Sequence, residues 1–453
     1  MNDPLAVRGV MLDLGRRYWE LDYLRAFIPR IAALGYNRLQ LHLTEWNAFR
    51  LRLPDYEGLA AERSYTPEEI NDLVRLAAGH GVEVVPEIDL PAHATAIIRY
   101  HPELRFTGPG AEHFNDGAYW HGSPTDGWTM DITREANRDW IKGLLAAFTD
   151  ALETPAVHLG GDEWPIEPGL SACAALNDHA RSLDPAYTAG DALVAFMNEL
   201  AGVVRSRGRR PEMWNWWERA SGGDFHLWPD RDIRIVAWDT DEERLAWFLR
   251  HGYEVIASPS ATHYVTPRTA PGNLAGKPYV AADPRRLYED WRPAPGPLGY
   301  QLCVWADWAE QEPDAYFESY LRRPLEVLGA RFCGPPAYPD ADAFLTELDR
   351  VPGEVRLGAG RVTRVRFRPR VPEGGTEAGR WSAPVAEALD AVRGTRFQGA
   401  RTPGGPWEDL AVVTAQPYPV WNELPLSGEF AALRVVDAPE GLEVEWWGVR
   451  SPR

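Results

Sequence analysis

The chain has 453 residues, too many for one small domain and enough for a barrel of roughly 250–330 residues plus a further module. Its 45% hydrophobic and 25% charged residues mark an ordinary folded globular protein. A formal net charge of −19, from 66 acidic and 47 basic residues, argues against nucleic acid or an anionic membrane as a main partner, because that field repels phosphate.

Only Cys173, Cys303 and Cys333 occur, without metal-type spacing, which argues against a disulfide scaffold and for a reducing compartment. The first residues, Met1-Asn2-Asp3-Pro4, have neither the basic region nor the apolar core of a signal peptide. No apolar run reaches the length of a membrane span. The expectation is a cytoplasmic enzyme.

In chain order, Ala6–Leu14 reads as a first strand. Leu21, Leu24, Ile28 and Ile31 follow at helical spacing, with Gly35 as the stop and Pro29 as an expected kink or break. Arg38–Leu43 is a second strand, and Thr44-Glu45-Trp46-Asn47 opens a loop. Thr66-Pro67-Glu68-Glu69 is a capping box that starts a helix reaching Gly81. Val82–Ile88 is a third strand, with Asp89 and His93 at its exit.

A helix over about residues 137–152 precedes Ala156-Val157-His158-Leu159, a buried fourth strand that breaks at Gly160-Gly161 before Asp162-Glu163-Trp164. On a regular strand the two carboxylates would point to opposite faces, and the glycines can turn both toward one cavity. A helix over about residues 190–207 leads to Pro211–Asn215, the fifth strand. Ile233–Asp239 is the sixth, Tyr253–Pro259 the seventh and Gly299–Trp305 the eighth, followed by a helix around Ala315–Leu328. This alternation predicts a (β/α)8 barrel over residues 5–335, with an open doubly wound sheet as the alternative.

Residues 336–353 read as a proline-rich linker with one short helical segment. Residues 354–453 read as a small antiparallel β-sandwich-like domain, because helical periodicity stops and Val365 and Phe367 alternate with Arg364, Arg366 and Arg368. The arginines are expected to form a solvated face, with docking on the acidic barrel as the alternative. Trp407 and Trp421 are candidate sugar platforms, with a sandwich core as the more ordinary use.

Polar residues recur at the strand ends: Arg8 and Asp13, Glu45, Asp89 and His93, then His158, Asp162 and Glu163. Tyr264 and Asp307 follow later, among Trp214, Trp238 and Trp305. Each alone has a structural reading, a helix cap for Asp162-Glu163 and a satisfied core histidine for His158. Together, carboxylates, an arginine and a ring of tryptophans suit an uncharged polyhydroxylated ligand, since an indole face stacks on a sugar ring. No paired-histidine spacing supports a metal, so neither metal nor cofactor is expected.

The segment His158-Leu159-Gly160-Gly161-Asp162-Glu163-Trp164 resembles the signature of glycoside hydrolase family 20, the β-N-acetylhexosaminidases. Arg8-Gly9-Val10-Met11-Leu12-Asp13, Pro86 through His93, Trp238, and Cys303-Val304-Trp305-Ala306-Asp307 resemble the same family in the same order. The resemblance covers about residues 5–330. It implies an exo-acting enzyme on an oligosaccharide or glycoconjugate, in which the sugar's own acetamido carbonyl is the nucleophile.

By that resemblance Glu163 is the general acid and Asp162 holds the acetamido N–H. Tyr264 bonds the acetamido oxygen, and Trp214, Trp238 and Trp305 box the group. Arg8 and Asp307 bind outer hydroxyls. Glu45, His93 and His158 belong to the pocket, with Asp89, His93 and His158 orienting Glu163 from behind. Repulsion between adjacent carboxylates is expected to favour a protonated Glu163 beside an ionised Asp162.

The sequence departs from the family's pattern in several places. Glu45 follows Thr44 where Ser-Asp-Asp is usual, Thr266 stands where Asp is common, and Ala92 replaces Gly. The family's N-terminal α+β domain is not seen before the first strand. An ordinary two-carboxylate β-glycosidase with Asp307 or Asp89 as nucleophile, and a non-catalytic sugar-binding relic, remain as alternatives.

Overall fold

A computed structural model describes residues 5–115, 127–238, 240–267, 279–280, 282–334, 337–348, 354–355, 360–372, 376–377, 380–402, 406–430, 432–439 and 441–450. Two compact units are present, Met1–Gln311 with Arg323–Pro336, and Glu312–Arg322 with Ala337–Arg453. Asp239, Pro335, Pro336 and residues 349–353, which the sequence assigns to a strand end and the linker, lie outside the described residues.

The first unit is a closed parallel barrel of eight strands: β1 (Val7–Asp13), β2 (Arg38–His42), β3 (Glu83–Glu87), β4 (Ala156–His158), β5 (Arg210–Trp214), β6 (Arg234–Ala237), β7 (Val255–Ala257) and β8 (Gly299–Val304). Each pairs with the next, and β8 returns to β1 with Val7 opposite Gly299. Closure explains why β2 and β8 are buried along their whole length.

The two-residue period sorts β2 into Leu39 and Leu41 on one face and Arg38, Gln40 and His42 on the other. Those polar residues fill the barrel interior. Arg38 bonds Glu212 and Gln301, and Gln40 bonds Glu87 at 2.8 Å. Burial pushes the Glu212 carboxyl up, but Arg38, Arg234 and Arg210 outweigh it and hold it at about 2.

Helices α1 (Leu21–Ala33), α2 (Pro67–Gly79), α3 (Glu135–Ala151), α4 (Ala189–Arg205), α5 (Glu242–Arg250) and α6 (Asp314–Cys333) follow β1, β2, β3, β4, β6 and β8. After β5 and β7 only short helical pieces occur among the described residues, so the alternation is less regular than expected. The Thr66–Glu69 capping box forms as read, and Thr188 with Asp191 makes a second one at α4. Pro29 does not break α1, and the residue whose carbonyl its ring frees, Arg25, is exposed.

In the second unit, strands β9 (Gly360–Arg368), β10 (Arg396–Ala400), β11 (Trp407–Val412), β12 (Asn422–Phe430), β13 (Ala432–Val436) and β14 (Glu443–Arg450) form antiparallel sheets in the orders β12-β9-β14 and β13-β10-β11. Val362, Val365, Phe367 and Phe430 from the first sheet share one core with Phe397 and Leu433 from the second. A helix, Ala383–Asp390, occurs where helical periodicity was expected to be absent.

The arginine face is not solvated. Arg366 is 1% exposed, with Glu318 from the 312–322 segment, Glu423 and Glu445 at ion-pair distances. Trp421 is 1% exposed beneath Arg366, which removes it as a sugar platform. Among the described residues no helix is long and apolar enough to cross a membrane.

Candidate active site

The exit of β4 is built by backbone that only glycine adopts easily. Gly160 and Gly161 have φ of 71° and 92°, and Glu163 itself sits at φ 50°. A Cβ on Gly160 would lie 1.8 Å from Asp89 Oδ1, while the Gly161 N–H donates to that same oxygen at 3.2 Å. The chain therefore stops pleating, and Asp162 and Glu163 reach the same side. His93 Nε2 lies 3.3 Å from Glu163 Oε2 and 4.0 Å from Asp162 Oδ1. A helix-cap role is ruled out by this geometry.

Behind Glu163 runs a chain of alternating charge. His93 Nδ1 is 2.7 Å from Glu45 Oε1, and Arg16 Nη2 reaches that oxygen at 2.7 Å. Arg16 also pairs with Asp13 at 3.0 Å and with Asp307 at 3.4 Å, bringing the exits of β1, β2 and β8 together. Glu45 thus occupies the carboxylate position of this chain, and its extra methylene spans to the imidazole. On its other side His42 Nε2 stands 3.5 Å from Glu45 Oε1, and His42 Nδ1 stands 2.9 Å from Glu87 Oε2.

The electrostatics follow from this packing. Burial alone would push Glu45 up, but Arg16 and His93 outweigh it and hold it well below the usual carboxylate range. Burial would push His93 down, yet the Glu45 and Asp89 charges and the Glu163 hydrogen bond raise it well above the ordinary histidine value. Glu163 is raised by burial and lowered more by its hydrogen bond to His93. Asp162 is pushed up to about 7, mainly by burial and then by Glu163, with His93 opposing. Protonation is thus favoured on His93 and on Asp162 over Glu163, the reverse of the expected order, because His93 pairs closely with only one of the two carboxylates.

Aromatic rings gather beside the carboxylate pair. Tyr264 lies 6.4 Å from Trp238 and 5.9 Å from Trp305 between ring centroids, and Trp305 lies 6.0 Å from Trp214. Trp214, fully buried, donates its indole N–H to Glu87 at 2.6 Å and forms the floor. Asp162 Oδ1 is buried and has no hydrogen-bond partner among the described residues. Ala92 replaces glycine without strain, since the left-handed residue of that loop is His93 at φ 52°. Thr266 is buried next to Tyr264 and brings no carboxylate there.

Two sequence assignments are corrected by position. Arg8 lies at the entry of β1, not its exit. Its guanidinium donates to the carbonyls of Gly35 and Leu5 at the far end of the barrel, and Arg16 supplies the cation of the site instead. His158 is fully buried, accepts the Gly160 N–H at 3.1 Å and packs edge-on to Trp214, so it supports the turn and lines no cavity. Sequence reasoning missed Arg16, although Asp13 with a cation three residues later was a usable signal.

It also missed Trp128, and gave no role to Trp216, one of the tryptophans near the strand ends; the two indoles reach the carbonyls of Glu163 and Trp164. Two donor sets, His42 with Glu87 and Asp89, and Asp89 with His93 and Asp162, come within 4.8 Å and resemble cation sites by type. The imidazoles in both already face carboxylates at ion-pair distance.

Solved structures share the fold. An exo β-N-acetylglucosaminidase from Vibrio harveyi in complex with N-acetylglucosamine superposes with a TM-score of 0.60 at 20% identity, over 76% of this chain and 57% of that one. The β-N-acetylhexosaminidase from Streptomyces coelicolor A3(2) gives 0.55 at 23% identity, over 76% and 68%. Among curated proteins, a β-hexosaminidase of Akkermansia muciniphila is 28% identical over 237 residues, 48% of this chain and 45% of that one. A β-N-acetylhexosaminidase of Cellulomonas fimi is 25% identical over 332 residues, covering 67% and 58%. The chain spans about half the length of these curated relatives. The model of the glycosyl hydrolase family 20 catalytic domain matches residues 6–318, and the chain belongs to that family.

Proposed function

We propose that the protein is an exo-acting β-N-acetylhexosaminidase that uses its substrate's 2-acetamido group as the nucleophile. The observation that carries this reading is the pairing at the β4 exit. Asp162 presents a buried carboxylate oxygen without a hydrogen-bond partner among the described residues, 4.0 Å from His93, and Glu163 beside it is in closer reach of the same imidazole. A neighbouring acetamido N–H would satisfy that oxygen, and leaving it bare is costly in a buried site.

In this reading the acetamido carbonyl oxygen attacks C1 while the bond from C1 to the leaving oxygen breaks. Glu163 gives the leaving oxygen a proton and becomes a carboxylate. As positive charge develops on the cyclic oxazolinium, Asp162 gives up its proton to solvent and the resulting carboxylate balances that charge. Water attacks C1 from the face the leaving group vacated and loses its proton to Glu163, and the ring opens with net retention.

Glu163 starts ionised, so its proton comes from His93. Its side chain is 37% exposed before substrate arrives, and covering it removes water from the carboxylate and draws the proton across the 3.3 Å gap. Glu45 and Arg16 hold His93 in line for that transfer. Arg16 and Asp307 suit hydroxyl groups of the terminal sugar.

The test is a panel of 4-nitrophenyl β-glycosides. The 2-acetamido glucoside or galactoside is expected to be hydrolysed and the plain β-glucoside left intact, with Glu163→Gln inactive on the 4-methoxyphenyl 2-acetamido glucoside, whose poorer leaving group needs the proton. Equal hydrolysis of acetamido and plain glucosides would return the site to an ordinary two-carboxylate mechanism.

A further inference from the structure

We propose that Trp128 and Trp216 form an indole clamp that sets the reacting geometry of Glu163, acting as positioning residues through the backbone. The proposal rests on the reading of Glu163 as general acid. A non-glycine residue at φ 50° persists only where its surroundings over-determine it. Here the Trp128 indole N–H donates to the Glu163 carbonyl at 3.0 Å, and the Trp216 indole N–H donates to the next carbonyl, Trp164, at 2.8 Å. Both peptide oxygens of the turn are thereby fixed from opposite neighbours in sequence.

Each indole is itself held by the site. Trp128 is 4% exposed and its segment is stapled to the loop that carries His93. The Thr95 hydroxyl donates to Gly127 O at 2.6 Å, the Ala94 N–H to Trp128 O at 3.0 Å, and the Met130 N–H to Pro91 O at 2.8 Å. The Trp128 ring also packs on His93 with 4.3 Å between centroids. One side chain therefore touches both members of the His93–Glu163 pair, each of which has a positive φ. Trp216 is 8% exposed and stacks on Trp238 at 5.8 Å and 9°, tying the turn to the aromatic wall.

Trp128→Phe and Trp216→Phe keep an aromatic ring but delete the N–H donor together with the fused second ring, so the readout must separate a lost hydrogen bond from lost packing. The readout is kcat/KM on two aryl N-acetyl-β-glucosaminides of different leaving ability, since a misplaced acid matters most where the leaving group needs the proton. With the 4-methoxyphenyl substrate each variant is expected to fall about tenfold, and with the 2,4-dinitrophenyl substrate less than about twofold. Inhibition by N-acetylglucosamine should stay at its wild-type value, which reports an intact pocket.

Equal losses on the two substrates would assign the indoles a merely structural role and overturn the proposal. No loss on the 4-methoxyphenyl substrate would also overturn it. A wild-type protein that cleaves neither substrate would instead bring down the general-acid reading, and the clamp with it. Should one variant fail to fold, the other indole is read by the same ratio.

Discussion

Asp162→Asn should stabilise the fold above neutral pH while abolishing turnover. The carboxyl is pushed from its ordinary 3.8 to about 7, first by burial. The folded protein therefore holds that proton more tightly than the unfolded chain between those values, and stability falls as pH rises through that window. At pH 8 the wild type keeps a buried carboxylate that asparagine does not. The rise corresponds to at most about 4 kcal/mol, shared with Glu163 and His93 because the three titrate together.

A gain of at least about 1 kcal/mol is expected at pH 8, or about 2 °C in melting temperature for a unit of this size. At pH 5, where Asp162 is already neutral in the fold, the gain should nearly vanish. Scanning calorimetry at the two pH values measures both. A variant that melts lower at pH 8, or gains more at pH 5 than at pH 8, refutes the burial argument.

Other substitutions probe the surrounding structure. Glu45→Gln removes one of the three carboxylates around buried Arg16, leaving Asp13 and Asp307, and should destabilise by about 1–3 kcal/mol in denaturant titrations. It also removes the main charge that raises His93, so the alkaline limb of the kcat/KM profile should move to lower pH, and an unmoved limb would remove Glu45 from the proton chain. Gly160→Ala places a Cβ 1.8 Å from Asp89 Oδ1 and should cost about 100-fold in kcat/KM. Gly208→Ala, also at positive φ but with nothing within 4 Å, separates that clash from backbone strain and should leave activity near wild type. Arg366→Met removes the buried cation shared by Glu318, Glu423 and Glu445, the last two keeping Arg364 and Arg322, and should lower the stability of the second unit by about 1–3 kcal/mol, read by thermal unfolding.

Much of the barrel was legible because strand and helix periods are local. The Gly160-Gly161 turn was legible for the same reason, since glycine before two carboxylates limits the backbone to few shapes. What escaped depends on residues far apart in the chain. Arg16 gains its meaning only when Glu45 and Asp307 arrive from other strand exits, and Trp128 only when the turn after β4 passes beneath it. Arg8 was misplaced because a strand's two ends look alike when only its polar residues are read. The protonation order failed for a related reason. Adjacent carboxylates predict that one is raised, and only the position of His93 decides which. Burial of Arg366 required the 312–322 segment to return to β9, which no alternation pattern encodes.

The claim that the substrate supplies the nucleophile is tested most directly by weakening that nucleophile. In a series of 4-nitrophenyl β-glucosaminides bearing acetyl, monofluoroacetyl, difluoroacetyl and trifluoroacetyl groups on nitrogen, each fluorine withdraws electrons from the attacking carbonyl. The account predicts that kcat/KM falls steeply with every added fluorine. A flat series would contradict it and move the nucleophile back onto the protein.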